Sequence, residues 1–403
     1  MPSAVASVPR VIGSPRSITW AAHAAFFAVG IVTVLLGPML PTLSQRWVLD
    51  YSQAGYLFSA QFVGATIGVT FSGRIIQRFG YRTAIIVGLG ATSLGVGTLP
   101  LLALSTGLVA IACFGFAIGL MGPTCNLVVA ELNPISRAAA LNVLNFSWSV
   151  GAVSCPLLLA AAVGAQRMAL VLFAIAGLTL ILMLAILLIV PAAVDQEGGR
   201  LRAAEVSRDS LWSRPGLLVL CTLFFLYIGL ENSVAGWLPS YAKLSGSPGR
   251  RPIVTSSFFY LALLVGRMMA PLILKALPEI KLARIGLGMG LVGIAGLLRA
   301  HSMTAVMAAA CLTGLGLSSV FPTLIAILSG TFGPDSSRAA PLLFNMSNFG
   351  GATLPFLVGF TGEHSGTLRH GLLVPLVAAA ILLTLFCGFF TSGSALRPTQ
   401  VGA

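Results

Sequence analysis

Long stretches of this chain carry no charge at all. Twelve apolar runs are read at about 18–43, 54–76, 83–103, 106–131, 138–162, 168–190, 215–242, 254–276, 282–300, 302–331, 338–361 and 369–391. They break at Pro, Gly and charged clusters. Each is near the ~20 apolar residues that a helix needs to cross a ~30 Å hydrocarbon layer. Only 8% of the residues are charged and 57% are hydrophobic, with a mean hydropathy of +0.97. A soluble domain carries about 25% charged residues, so this chain could not cover a water-facing surface. The expected class is an all-α membrane protein of twelve transmembrane helices. A transmembrane barrel would show alternating segments of ~10 residues instead.

The formal charge is +13, from 23 Lys and Arg against 10 Asp and Glu. The basic residues sit in short loops, which points to the positive-inside rule and not to nucleic acid. With the N-terminus inside, fifteen fall on the cytoplasmic side, among them Arg10, Arg16, Arg74, Arg78, Arg82, Arg137, Lys275 and Arg338. Seven fall outside: Arg46, Arg167, Lys243, Arg250, Arg251, Arg299 and Arg369. Arg267 lies within a helix. Both termini are therefore expected in the cytoplasm of a cell whose inner membrane holds the chain. The first run is too long for a signal h-region and reads as a retained helix. Cys113, Cys125, Cys155, Cys221, Cys311 and Cys387 all lie in apolar runs without metal-ligand spacing, so no disulfide framework is expected.

The longest polar segment, Asp195 to Arg214, holds four Arg and four acids. It reads as a cytoplasmic linker, 191–214, between a bundle over 1–190 and another over 215–403. The two halves share landmarks at a constant offset of 199 residues. Gly37 recurs as Gly236, Gly115 as Gly314, Pro123-Thr124 as Pro322-Thr323, Gly151 as Gly350 and Pro156 as Pro355. Parallel six-helix repeats with a solute site at their interface characterise one large class of transporters.

On these residues the chain resembles the major facilitator superfamily. The most specific motif follows the second helix: Gly73-Arg-Ile-Ile-Gln-Arg-Phe-Gly-Tyr-Arg82. The family pattern is Gly-x-x-x-Asp-Arg-x-Gly-Arg-Arg/Lys. Gly73, Arg78, Gly80 and Arg82 match, and Gln77 stands where the family has Asp. The resemblance implies a cytoplasmic gating motif in which that Asp helps lock the halves together. Gly314–Thr323 (GLGLSSVFPT), Glu231–Leu238 and Leu141–Phe146 are similar to the fucose-permease-like branch. That branch implies a sugar as solute, often driven by protons or sodium. The branch's proton-linked acids lie in helices one and four; here LLGPMLP (Leu35–Pro41) and GLMGPTCN (Gly119–Asn126) contain none.

A transporter needs polar groups facing a cavity, so intramembrane polar residues are the candidates. Glu231 is a mid-membrane carboxylate about 15 Å from the outer helix end, and Arg267 on the next helix lies about 20 Å deep. Three readings stand: a structural ion pair with Arg267, a solute contact beside Asn232, or a proton carrier. Asn142, Asn145 and Ser149 share one face of helix five, with Trp148 on the same stripe. Asn345 and Asn348 share a face of helix eleven. Carboxamides donate and accept, which suits hydroxyl-rich solutes, and an indole can stack on a sugar ring. The bland alternative is that Asn residues join helices in lipid. Asn126 and Gln61 are further candidates.

Trp237, before a kink expected at Pro239, is either part of an outer gate or a belt aromatic. His23 reads as interfacial and the Glu131–Arg137 pair as loop structure or gating. His301, Glu363, His364 and His370 read as solvated residues of outer loops.

No metal, cofactor or Gly-x-x-x-x-Gly-Lys nucleotide loop is visible, and His23 is the only helical His, so no enzyme is expected. A monomer carrying a small polar solute is the leading expectation. An exporter of amphipathic or drug-like compounds is the alternative.

Overall fold

The computed structural model describes residues 15–133, 136–162, 165–190, 216–245, 251–333 and 336–389. The expected linker from Asp195 to Arg214 lies outside them. Fourteen α-helices are present among the described residues. They are α1 (Pro15–Val34), α2 (Leu36–Trp47), α3 (Tyr51–Thr98), α4 (Leu104–Leu132), α5 (Arg137–Ala161), α6 (Ala165–Ile189) and α7 (Leu217–Ala242). The rest are α8 (Arg251–Ile273), α9 (Glu279–Arg299), α10 (Met303–Leu317), α11 (Val320–Phe332), α12 (Ser336–His364), α13 (Leu368–Gly371) and α14 (Leu373–Phe389).

Fourteen helices make twelve crossings because prolines cut some and a glycine folds another. Proline removes an N–H and clashes with the carbonyl four residues earlier. Pro38 lies just past the α1/α2 break at Leu35, Pro322 past the α10/α11 break at Ser318-Ser319, and Pro375 past the α13/α14 break at Leu372. Each pair of pieces forms one crossing. The 48-residue α3 holds two crossings, not the separate helices 54–76 and 83–103 expected from the sequence. Its only non-helical residue is Gly80, at φ 82° and ψ 172°, a conformation that glycine reaches without a Cβ penalty. The chain returns there: Arg46 and Trp47, beside the start of α3, donate to the carbonyls of Leu99 and Leu102. Pro239 does not end its helix, since α7 continues to Ala242.

The bundle thus has two ends. One, the Gly80 face, carries the Gly80 turn and the α4–α5 turn. The other, the Asp50 face, carries Asp50 and the end of α12. The residues offset by 199 occupy equivalent places in the two halves. A Cβ on Gly115 would lie 2.0 Å from the Gln61 carbonyl oxygen of α3, and one on Gly314 would lie 2.2 Å from that of Phe259 in α8. Gly151 abuts the Phe27 carbonyl of α1, and Gly350 that of Phe225 in α7. The missing side chains let these backbones touch, which explains why the same glycines recur.

One buried cluster runs through both halves, joining Leu36, Met39, Leu40 and Phe58 to Trp237 and Leu238. A second, from Ile18 to Val190, belongs to the first six crossings alone and lies toward the Gly80 face. The halves therefore pack continuously at the Asp50 face. At that seam a Cβ on Gly37 would sit 3.0 Å from the Cα of Gly236.

Candidate functional site

The site grows from one turn of α7. Tyr227 and Glu231 are four residues apart, so their side chains stack on one face. The Tyr227 phenol donates to Glu231 Oε2 and lies 3.3 Å from the Leu317 carbonyl at the end of α10. Tyr227 is fully buried and Glu231 is 7% exposed. Phe321, in α11, stacks on the Tyr227 ring at 5.8 Å, which fixes the phenol beneath the carboxylate.

Arg267 enters from α8. Its guanidinium carbon is 5.6 Å from the centre of the Trp148 ring of α5. Trp148 also meets Tyr260 of α8 edge-on at 6.3 Å. Tyr260 and Arg267 are two helical turns apart and share a face. The charges of Glu231 and Arg267 both act on the Tyr227 and Tyr260 phenols. Carboxylate, guanidinium, two phenols and an indole therefore form one polar knot at the seam between the halves. Among the described residues no hydrogen bond or ion pair joins Glu231 directly to Arg267. The phenol of Tyr227 takes the carboxylate, and Arg267 Nε is buried with no acceptor. Of the three readings of Glu231, the ion pair with Arg267 therefore has no direct contact behind it in this state; the partner the carboxylate does have is Tyr227.

The other candidates spread around this knot. Asn345 Nδ2 donates to the Thr70 hydroxyl at 3.2 Å, which links α12 to α3 across the halves. Its Oδ1 is buried without a partner, as are Asn348 Nδ2 and Gln61 Oε1. Gln61 Nε2 donates to the Thr33 carbonyl. Asn126, Asn145 and Asn232 each return Nδ2 to the carbonyl four residues earlier in their own helix, which frees the amide oxygens. Asn142 is exposed and joins nothing in the knot. Trp237 is 1% exposed and donates to the Pro355 carbonyl at 2.8 Å. It is packed against Tyr51 and Phe58 of the other half and is no lipid-belt aromatic.

At the Gly80 face, Gly73, Gln77 and Arg78 are exposed, and Arg78 lies over the Phe79 ring at 5.3 Å. Arg82 donates to the Leu187 carbonyl at the end of α6, and Tyr81 donates to Glu131 at 2.7 Å. Glu131 thus finds its partner in the loop motif; the Arg137 side chain lies outside the described residues. His23 Nδ1 is 2.9 Å from Ser147 Oγ, on the wall of an open recess of about 480 Å³ lined also by Arg16, Trp20 and Asn133. Among the described residues no group of three His, Cys, Asp or Glu side chains could hold a metal.

Sequence reading missed Tyr227, Tyr260, Thr70 and Glu363. The spacing of Tyr227 from Glu231, and of Tyr260 from Arg267, was available as a same-face signal. Nothing local marked Thr70, whose partner is 275 residues away. Glu363 is not a loop residue: it lies in the last turn of α12 and accepts from the backbone of Tyr51.

The chain matches the family model described as Major Facilitator Superfamily over residues 22–298. It is 25% identical over 386 residues to the glucose/galactose transporter of Brucella abortus, covering 89% of this chain and 90% of that one. It is 21% identical over 353 residues to the glucose/mannose transporter GlcP of Bacillus subtilis, covering 84% and 86%. Among solved structures, a D-xylose-proton symporter superposes with a TM-score of 0.78 at 15% identity, over 95% of this chain and 99% of that one. The fucose:proton symporter FucP of E. coli gives 0.64 at 18% identity, over 93% and 98%. With twelve apolar crossings, two halves built on the same glycine contacts and a family match over more than half its length, the chain belongs to the major facilitator superfamily.

Proposed function

We propose that the chain is a secondary transporter that carries a monosaccharide across the cytoplasmic membrane. The two halves, 1–190 and 215–403, would rock about the seam that holds Glu231. The observation that carries this reading is the end-to-end likeness to two relatives named as hexose transporters. The seam chemistry fits it. The unpartnered amide atoms Gln61 Oε1, Asn345 Oδ1 and Asn348 Nδ2 suit a ring of hydroxyls, and Trp148 and Tyr260 offer faces to its apolar side.

The bias of the basic loops supports a cytoplasmic Gly80 face, with both termini on that side. On that topology the packed seam at the Asp50 face corresponds to an inward-facing state. Arg267, Trp148, Glu231 and Asn232 form the cargo-facing surface, with Asn145 and Asn126 as outer contributors. Glu231 is the group through which a proton or sodium ion would couple, because helices one and four supply no acid. The protein works as a monomer.

The test is uptake of labelled glucose, galactose, mannose and fucose into proteoliposomes, under imposed proton or sodium gradients. Saturable uptake of at least one sugar is expected. Glu231→Gln should abolish its response to the gradient. An E231Q protein with full and equally gradient-dependent uptake would remove Glu231 from both binding and coupling. Stabilisation of the purified protein by hydrophobic cations alone, with no sugar effect, would replace the reading with an exporter.

A further inference from the structure

We propose that Glu363 is the positioning residue for the alternation step, the charged catch that holds the Asp50 face shut. The proposal rests on the alternating-access reading but not on which solute is carried.

The catch is built from the start of α3. Asp50 caps that helix: its Oδ1 accepts from the Gln53 amide at 2.6 Å, and Gln53 Oε1 accepts from the Asp50 amide at 3.2 Å. This reciprocal box fixes the helix start and satisfies two donors. The amide of Tyr51 is a further first-turn donor with no partner in its own helix. It donates to Glu363 Oε2 at 3.0 Å, from 312 residues away in the other half. The carboxylate sits where the helix dipole is positive, which favours its charge.

The backbone is shaped for the contact. One turn before Glu363, a Cβ on Gly359 would lie 2.2 Å from the Tyr51 carbonyl oxygen, so only glycine lets α12 come this close. The Tyr51 ring meets Trp237 edge-on at 6.3 Å, and Tyr56 stacks on Phe356 at 5.0 Å. Among the described residues Glu363 is the one carboxylate hydrogen-bonded across the seam. On the opposite face the position that could hold such a charge is Gln77, which is neutral and exposed. Among the described residues the carboxylate hold across the seam therefore lies at the Asp50 face, and it favours the state described here.

The test measures spin-label distances in full-length protein with its cysteines replaced by alanine. One label pair, at Leu101 and Leu244, reports on the Asp50 face. Another, at Leu188 and Leu274, reports on the Gly80 face. All four are exposed. A carboxylate at a helix N-terminus favours its state by about two- to fivefold at an exposed site. Glu363→Gln and Glu363→Ala should raise the long-distance population at the first pair by that factor and shorten the second. Glu363→Asp should restore most of the wild-type distribution. Unchanged distances at the first pair would overturn the proposal. So would equal broadening at both pairs, which would mean general loosening.

Discussion

Tyr227 and Glu231 meet one turn apart inside α7, phenol to carboxylate, and Phe321 clamps the phenol from below. A carboxylate in a bilayer helix is expensive unless something compensates it, and here the compensation comes from the same helix. Tyr227→Phe keeps the ring and its stacking but deletes the donor. Hydrogen bonds to charged groups contribute about 1.5–3 kcal/mol. Sugar uptake by Y227F should therefore fall by roughly tenfold or more, and the melting temperature of the purified protein should fall as well, because the buried carboxylate loses its donor. Initial-rate uptake beside a thermal melt checks both halves of that statement.

Arg267 reaches across the seam to Trp148 of the other half. A cation over an indole contributes about 0.5–2 kcal/mol, depending on desolvation. Trp148→Phe retains a weaker face and Trp148→Ala retains none. Apparent affinity should fall in that order, within a range of about 2- to 30-fold. Arg267→Lys keeps the charge but loses the planar group, and should fall between wild type and Arg267→Gln. Equal affinities for all four variants would detach this pair from the solute site.

The fold was legible because lipid imposes one rule, an apolar run of bilayer length, and the runs at Leu217–Ala242 and Glu279–Arg299 obey it plainly. The reversal inside α3 was also marked, since Gly80 is part of the loop motif that interrupts the pattern. Helix ends were less legible. Pro38 and Pro322 break their helices three or four residues upstream of themselves, so the break does not fall at the residue that causes it. The site was half legible. Mid-membrane Glu231 and Arg267 announce themselves by charge, yet charge and depth alone leave three readings of them open, and among the described residues no direct bond joins the two. Depth along two helices fixes height and says nothing of rotation, and it is rotation that turns Arg267 to Trp148 while Glu231 keeps Tyr227. Contacts such as Tyr51–Glu363 join residues 312 apart, and no local pattern encodes which of several exposed acids will meet a given helix end.

The recurring glycines predict a symmetric sensitivity. Gly115 faces Gln61 in one half and Gly314 faces Phe259 in the other, and a methyl carbon added at either would sit 2.0 or 2.2 Å from a carbonyl oxygen. Overpacking of this kind costs about 1–3 kcal/mol. Gly115→Ala and Gly314→Ala should each lower the melting temperature, by similar amounts. Gly177→Ala and Gly288→Ala, where a methyl would meet nothing within 4 Å, should not. Thermal unfolding in detergent compares the four.

Asn345 offers a way to separate seam structure from solute binding. Its Nδ2 donates to Thr70 in the other half, and its Oδ1 is buried and idle. Thr70→Val removes the inter-half bond and leaves Oδ1 in place. Asn345→Ala removes both. Interhelical polar pairs in bilayers average about 0.6 kcal/mol, so loss of the bond alone should change KM by no more than about threefold. If Oδ1 takes a hydroxyl of the sugar, Asn345→Ala should raise KM by a further factor of about five to ten, the effect of losing one hydrogen bond of about 1 kcal/mol or slightly more. Combined with Thr70→Val, it should raise KM no further than Asn345→Ala alone. KM values from uptake for the two single variants and the double variant decide it: equal KM in both single variants would leave Asn345 a seam residue and no more.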